Sequence, residues 1–221
     1  MITLALEFSS ARHSAAVARC AADTPPAVLG EAHEEGARHI RSLALVAKAL
    51  AAAQVEREAV ECIAIGLGPG SLTGIRAAIA LAQGWQFARE VRLLGVSSVE
   101  CLAAQAHSLG WLGAVHVVLD AQRGEFSLVG FDISAAGWRE TSALRLASAD
   151  EVNLLAASGA LCIGPGAERF GEGGRALFPD ASTLARLACG RTGSEPGEQL
   201  EPISLRKVSF VKAPAPRTLP G

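Results

Sequence analysis

The sequence predicts an α/β protein made of two layered units, each with a mixed β-sheet. Three strand-like segments open the chain with no helix between them, and strands and helices alternate after that. A shorter version of the same order recurs after about residue 108. A meander followed by β–α alternation is typical of layered α/β folds. We therefore expect two sub-domains, residues 1–107 and 108–221.

The first half supplies five strands and three helices. Short apolar runs between turn residues predict strands, and apolar residues at helical spacing predict helices. The predicted strands are Ile2–Phe8, Ser14–Cys20, Val28–Glu34, Cys62–Ile65 and Leu93–Val96. The predicted helices are His39–Gln54, Thr73–Ala88 and Ser98–His107.

The second half repeats the pattern in reduced form. Its predicted strands are Ala114–Leu119, Glu125–Asp132, Ala143–Leu146 and Leu161–Gly164. Ser148 is placed to cap a helix that ends near Ala157, and a last helix is predicted from Pro179 to Cys189. We expect a polar loop over Arg191–Glu198 and a poorly ordered Pro-rich tail after Val211. The last helix and tail, residues 179–221, are candidates to pack back on the first sub-domain.

Composition narrows the class of protein. Half of the residues are hydrophobic and 19% are charged, which indicates a globular chain. The net charge of −2 does not suit a protein that grips nucleic acid alone, because phosphate contacts dominate that affinity. No uncharged apolar run reaches the roughly 18 residues of a membrane span, and no basic segment precedes an apolar run at the N-terminus. These features predict a cytoplasmic protein.

The five cysteines are scattered, odd in number and free of any CxxC pair. Neither their spacing nor that of the histidines matches a zinc site. The sequence therefore predicts buried free thiols in a reducing compartment. They are Cys20, Cys62, Cys101, Cys162 and Cys189.

The stretch from Gly66 to Arg76, GLGPGSLTGIR, is the most informative segment. Its glycines and proline fix a tight turn between a strand and a helix, and Ser71 or Thr73 can cap that helix. Such a turn is either purely structural or holds an anion at the helix N-terminus. The candidate nucleotide- or anion-binding residues are Gly68, Gly70, Ser71, Thr73 and Gly74.

The same stretch resembles the hallmark of the TsaB (YeaZ) family, Gly-x-Gly-Pro-Gly-Ser-Phe-Thr-Gly-x-Arg. Leu72 replaces the usual Phe, and Ala78 stands where a Gly often follows. Other segments resemble the family in the same order along the chain. They are Leu4–Ser10, Gly95–Ser98, Asp120–Glu125 and Glu201–Arg206.

The resemblance implies an actin-like, ribonuclease-H-like (ASKHA) fold and a role without catalysis of its own. It implies a subunit that binds and activates the TsaD threonylcarbamoyltransferase, which forms N6-threonylcarbamoyladenosine next to the tRNA anticodon. A TsaE-like ATPase would complete the complex, and the isolated chain would be a homodimer. No cofactor, catalytic residue or membrane contact is expected, and tRNA would be contacted only weakly or indirectly.

Two departures from catalytic relatives support this interpretation. TsaD carries a His-x-x-x-His metal pair on its first helix, whereas here Leu43 lies four residues after His39. Glu7 stands where ATP-binding relatives have an Asp at their metal–phosphate site, and its longer side chain would place a metal differently. We therefore predict that the chain holds no metal.

The two Ala-rich helices are the expected partner surface. Each carries more than one apolar stripe, and a helix with two apolar faces must bury both. One face would cover the sheet, and the family uses these helices for dimer contacts. The predicted interface residues are His39, Leu43, Val46, Leu50, Ile75, Ile79, Ala82 and Gln83.

Two alternatives stay open at this stage. An ASKHA-type small-molecule kinase would need a second phosphate loop, for which Gly164-Pro165-Gly166 is a poor candidate. A glycopeptidase- or protease-like activity would have to use Ser9, Ser10 and His13, but no third group completes a triad.

Overall fold

The first β-sheet is built by residues from the N-terminal half. The computed structural model describes residues 1–35 and 42–205. The sheet has the order β3-β2-β1-β4-β5, with β1–β3 antiparallel and β1, β4 and β5 parallel. Its strands are β1 (Ile2–Glu7), β2 (Arg12–Ala21), β3 (Thr24–Glu35), β4 (Cys62–Gly66) and β5 (Arg92–Val96).

The second sheet repeats this plan, with the order β10-β9-β6-β7-β8. Strands β6–β8 form an antiparallel meander, and β6, β9 and β10 are parallel. The predicted pair of mixed sheets is therefore confirmed, although β10 was not predicted because only three residues form it. The strands are β6 (Gly113–Asp120), β7 (Glu125–Ser134), β8 (Gly137–Ser148), β9 (Leu161–Gly164) and β10 (Gly174–Ala176).

Five α-helices connect and cover the sheets in the described ranges. They are α1 (Ser42–Ala53), α2 (Leu72–Ala88), α3 (Ser98–Ser108), α4 (Ala149–Ala157) and α5 (Ala181–Cys189). Ser71 caps α2 and Ser148 caps α4, as predicted, and Asp180 caps α5. The predicted start of the first helix, including His39, and the Pro-rich tail lie outside the described residues. Across residues 1–35 and 42–205, no helix combines the length and apolarity needed to cross a membrane.

Helices cover both faces of the first sheet, and the apolar residues of β1 alternate between the two cores that result. Leu4 and Leu6 point to the side that carries α1 and α2. Ala5 points to the opposite side, where Leu184 and the alanines of α5 pack. The last helix thus lies against the first sheet. Helix α3 joins two cores: Cys101 packs with α5, and Leu102 packs on the second sheet. The boundary near residue 108 remains a proposal.

A disulfide bond joins Cys20 at the end of β2 to Cys189 at the end of α5. The prediction of free thiols is therefore wrong for this pair, which lies 169 residues apart in the chain. Sequence spacing could not reveal that the fold brings them together. The prediction is confirmed for Cys62, Cys101 and Cys162, which are free and buried.

Candidate functional site

A cleft lies where the turn before α2 faces the turn after β6. Two adjoining cavities of about 670 and 700 Å³ occupy it. Ser9, Ser10, Ser71 and Thr73 line one side, and Asp120 lines the other. The structure thus brings together segments that the sequence singled out separately.

The Gly-rich turn is fastened to its neighbours by its own backbone. The amide of Gly68 donates to Ser98 Oγ over 3.1 Å, and its carbonyl accepts from the Ser98 amide over 2.9 Å. The Ser71 amide donates to the carbonyl of Ser9 over 2.7 Å. Ser71 Oγ then accepts from the Gly74 amide, which completes the N-cap. These bonds hold the turn, which forms one wall of the cleft, against the β1–β2 loop and the start of α3.

Two of its glycines are required by close backbone contacts inside the chain. A Cβ at Gly74 would lie 1.9 Å from the carbonyl oxygen of Phe8. At Gly70, where φ is +156°, it would lie 2.2 Å from the carbonyl oxygen of Ser9. Packing against the β1–β2 loop therefore accounts for these glycines without a ligand. Anion or nucleotide binding by Gly68, Gly70, Ser71, Thr73 and Gly74 stays a prediction.

Glu7 lies beneath the cleft and is fully buried. Its Oε1 accepts the Ser9 amide and its Oε2 accepts the Ser98 hydroxyl, each over 2.8 Å. A Cβ on Gly66 would lie 2.1 Å from Glu7 Oε2, so the glycine provides the space for the longer carboxylate. Glu7 therefore links the β1–β2 loop to the Gly-rich turn through Ser98.

Burial raises the pKa of Glu7 above its ordinary value of 4.5, and the hydrogen bonds from Ser9 and Ser98 oppose the shift only in part. The folded protein therefore holds this proton more tightly than the unfolded chain. The resulting stability is fully present below pH 4.5 and is lost as pH rises through the folded pKa.

We expect Glu7→Gln, which cannot ionise, to gain stability relative to the natural protein as pH rises from 4.5 to 7.5. Urea unfolding across that range measures the difference in unfolding free energy. The exposed Glu90→Gln is the control and should show no comparable trend. Parallel pH profiles for Glu7→Gln and the natural protein would contradict the assignment.

Local hydrogen bonding accounts for Ser10 near the cleft, and burial accounts for His13. Ser10 Oγ donates to the carbonyl of Arg12 over 3.0 Å and accepts its amide over 3.2 Å. His13 is 7% exposed, and its Nδ1 has no hydrogen-bond partner within the described ranges. Burial lowers the pKa of His13, and the nearby Glu34 opposes this. Ser10 is thus committed to a local turn.

Asp120 stabilises the turn that follows β6. Its Oδ1 accepts the Gln122 amide over 2.6 Å, and Gln122 and Arg123 both have positive φ. An Asp side chain that bonds the backbone two residues later stabilises such a turn. Within residues 1–35 and 42–205, no group of three His, Cys, Asp or Glu side chains could hold a metal ion.

The predicted interface needs correction. The structure buries Val46, Leu50, Ile75, Ile79 and Ala82 in the core beneath α1 and α2, each at most 9% exposed. They therefore present no surface to another molecule. Leu43 is 74% exposed and Gln83 is also exposed, whereas His39 lies outside the described residues.

The outward residues of the two helices form a different surface, which we call the outer helix face. Phe87, 96% exposed, is its largest side chain, and Leu43 follows at 74% among the large apolar residues of α1 and α2. The predicted interface included Leu43 and Gln83 of this face but missed Phe87 and the alanines and glycine around them, because alanine and glycine add little to an apolar stripe. The small size of these residues was the only signal in the sequence that could have identified the face. The face comprises Leu43, Ala44, Ala47 and Ala51 of α1 and Ala80, Gln83, Gly84 and Phe87 of α2.

Comparison with solved structures supports the fold. YeaZ from Pseudomonas aeruginosa superposes with a TM-score of 0.74 at 28% identity, over 92% of this chain and 99% of that one. A second P. aeruginosa structure, titled an uncharacterized protein with similarity to peptidase YEAZ, covers 93% and 99% at 27% identity with a TM-score of 0.73. The predicted actin-like (ASKHA) fold is confirmed.

Sequence comparison gives the same relatives. The TsaB proteins of Escherichia coli and Haemophilus influenzae, both named for tRNA threonylcarbamoyladenosine biosynthesis, are 28% and 26% identical. The matches cover 70% and 79% of this chain and 75% and 82% of theirs. The family model for TsaD, tRNA N6-adenosine threonylcarbamoyltransferase, matches residues 30–162, more than half of the chain. The chain thus belongs to the tRNA N6-adenosine threonylcarbamoyltransferase family and, within it, to the TsaB (YeaZ) proteins.

Proposed function

We propose that this chain is a non-catalytic subunit of the machinery that makes N6-threonylcarbamoyladenosine in tRNA. In this proposal it binds and activates a TsaD-like threonylcarbamoyltransferase through the outer helix face. The observation that carries the proposal is the 96% exposure of Phe87 on a helix whose outward side also presents Ala80 and Gly84. A contiguous exposed apolar surface on two neighbouring helices is typical of a protein–protein interface.

The composition of the face suits close helix packing. Ala80 and Gly84 lie on one side of α2 at a spacing of one helical turn, and Phe87 follows on the same side. Small residues let a partner helix approach closely, while Phe87 and Leu43 supply apolar area at the edges. The same face would serve a homodimer of the isolated chain, so dimer and TsaD complex would exclude each other.

The cleft supports a role without catalysis. Glu7, at the position of the superfamily's Asp, is enclosed by Ser9 and Ser98 beneath the cleft floor. Ser10 and Asp120 are engaged in their own turns. In the proposal, TsaD performs the transfer, a TsaE-like ATPase completes the complex, and contact with tRNA is indirect or weak, as the net charge of −2 favours.

Gly84→Glu tests the proposal without disturbing the fold. No atom lies within 4 Å of an added Cβ at this exposed helical position, so the variant should fold. A carboxylate in the middle of an apolar interface would be desolvated without a partner. We expect the Kd for a TsaD-like subunit from the same organism to rise about 100-fold or more.

Co-purification followed by light scattering gives the mass of the complex, and calorimetry gives its Kd. Ala157→Glu adds the same charge to an exposed position of α4 and should bind like the natural protein. A normal complex formed by Gly84→Glu would exclude the outer helix face. No complex with the natural chain would remove the partner-subunit role and return attention to the kinase and peptidase alternatives.

A further inference from the structure

The disulfide between Cys20 and Cys189 lies where three segments of the chain end. The N-terminal ammonium of Met1 donates to the Cys20 carbonyl over 3.0 Å, and the Cys20 amide donates to the Met1 carbonyl over 2.9 Å. Cys189 is the last residue of α5, and its Cα lies 5.3 Å from that of Cys20. The bond therefore ties the end of α5 to the paired start of β1 and end of β2.

Helix α5, which the disulfide fastens, buries little apolar area against the sheet. Alanines of α5 meet alanines of β1 and β2, and Leu184 is the only larger side chain of α5 fully buried there among the described residues. An alanine buries less apolar area than a leucine, and the hydrophobic contribution scales with that area. A covalent link consequently matters more here than under α1 or α2. The alanines are Ala181, Ala185 and Ala188 against Ala5, Ala16 and Ala18.

The chain that follows Cys189 runs along the open edge of the first sheet. We call residues 190–200 the C-terminal strap. Arg191 donates to the Gly95 carbonyl over 3.2 Å, and the Glu195 amide donates to the Leu93 carbonyl over 2.9 Å. These contacts occupy backbone groups of β5, an edge strand that would otherwise be open to pairing with another chain.

The strap then grips α2. Gln83 Nε2 donates to the Gly197 carbonyl over 2.8 Å, and the Gly197 amide donates to Gln86 Oε1 over 3.1 Å. A Cβ on Gly197 would lie 2.7 Å from Gln86 Oε1, so the strap sits close against the helix. Whatever holds the start of the strap therefore also acts on α2.

We propose that Cys20–Cys189 is a redox-controlled staple that holds the end of α5 and the C-terminal strap in place. A dithiol reductant opens it in two steps. A thiolate of the reductant attacks the Cys189 sulfur, and Cys20 leaves as a thiolate that takes up a proton. The second thiol of the reductant then displaces Cys189, so that two electrons pass to the protein and the reductant becomes a disulfide.

The surroundings favour attack from solvent at Cys189. Cys189 is half-buried, whereas Cys20 is only 7% exposed. Burial raises the pKa of the free thiols Cys62 and Cys101, so they hold little thiolate with which to attack the bond from inside. Disulfides that form in a reducing compartment are mostly transient and redox-sensing, which is the behaviour proposed here.

The test joins peptide mapping with hydrogen exchange on the full chain. Free thiols are alkylated, and non-reducing digestion should yield a peptide pair that contains Cys20 and Cys189. Amide exchange of residues 190–200 is then followed with and without dithiothreitol. Reduction should speed this exchange by about tenfold or more, because the strap can open locally once the disulfide no longer anchors its start to β2.

Two variants separate this effect from general loosening. Cys189→Ala should exchange fast in the strap with or without dithiothreitol, whereas Cys162→Ala, a buried thiol in the second sheet, should respond to the reductant like the natural chain. If Cys189→Ala does not fold, cycles of reduction and reoxidation of the natural protein give the same comparison. A link between Cys20 and Cys62, free thiols at Cys20 and Cys189 in oxidising buffer, or strap exchange that ignores reduction would overturn the proposal.

Discussion

Gly74→Ala should lower the free energy of unfolding by about 3 kcal/mol, although alanine is the best helix former and Gly74 lies in a helix. The added methyl would lie 1.9 Å from the carbonyl oxygen of Phe8 and 2.9 Å from its carbonyl carbon. These are backbone atoms of a fully buried residue and cannot rotate away as a side chain could. Relief requires the start of α2 to move away from the β1–β2 loop.

Gly84→Ala on the same helix is the matched control and should have the opposite sign. No atom lies within 4 Å of its added Cβ, so only helix propensity changes, which favours alanine by roughly 1 kcal/mol. Urea unfolding followed by circular dichroism measures both variants. Equal effects of the two substitutions would show that the contact between the Gly-rich turn and Phe8 is not tight.

The order of strands and helices could be predicted because local patterns determine it. Apolar runs such as Cys62–Ile65 and caps such as Ser71 and Ser148 act within a few residues, and the structure places each of them as predicted. Strand β10 escaped prediction because its three residues carry no periodicity and pair only with β9.

Long-range contacts were beyond the reach of the sequence. The meeting of Cys20 with Cys189 depends on α5 folding back across the first sheet, which no local pattern encodes. The buried position of Glu7 likewise depends on Gly66 and Ser98, which come from two other segments. The Gly-rich turn could be recognised in the sequence, and it does line the cleft. The reason for its glycines became clear only from their close contacts with Phe8 and Ser9 in the structure.

The outward side of α2 was misjudged for a related reason. Periodicity identifies stripes on a helix but not which stripe faces the sheet, and an Ala-rich helix offers little contrast between its faces. Ile79 was assigned to the partner surface but packs in the core at 6% exposure, whereas the next residue, Ala80, is exposed. The outward side of α2 therefore carries the small residues Ala80 and Gly84 together with Phe87.

Ile79→Glu should consequently destabilise the chain by about 4 kcal/mol or more. The substitution removes a buried isoleucine. It also places a carboxylate without a partner in the core between α2 and the face of the first sheet that carries Leu4. Ala80→Glu, one residue further along, should change the free energy of unfolding by less than about 0.5 kcal/mol, because the new side chain reaches solvent.

Urea unfolding of the two variants compares them directly, and partner binding by the folded Ala80→Glu variant adds a second measure. If Ile79→Glu folds normally and loses only the partner, α2 turns the Ile79 side outward in solution and the outer helix face is wrongly assigned. If Ala80→Glu stays folded and loses the partner, loss of binding is separated from loss of stability. The loss of binding by Ala80→Glu can then be assigned to the proposed contact with a TsaD-like partner. Ile79→Glu shows, by comparison, what loss of stability alone would do.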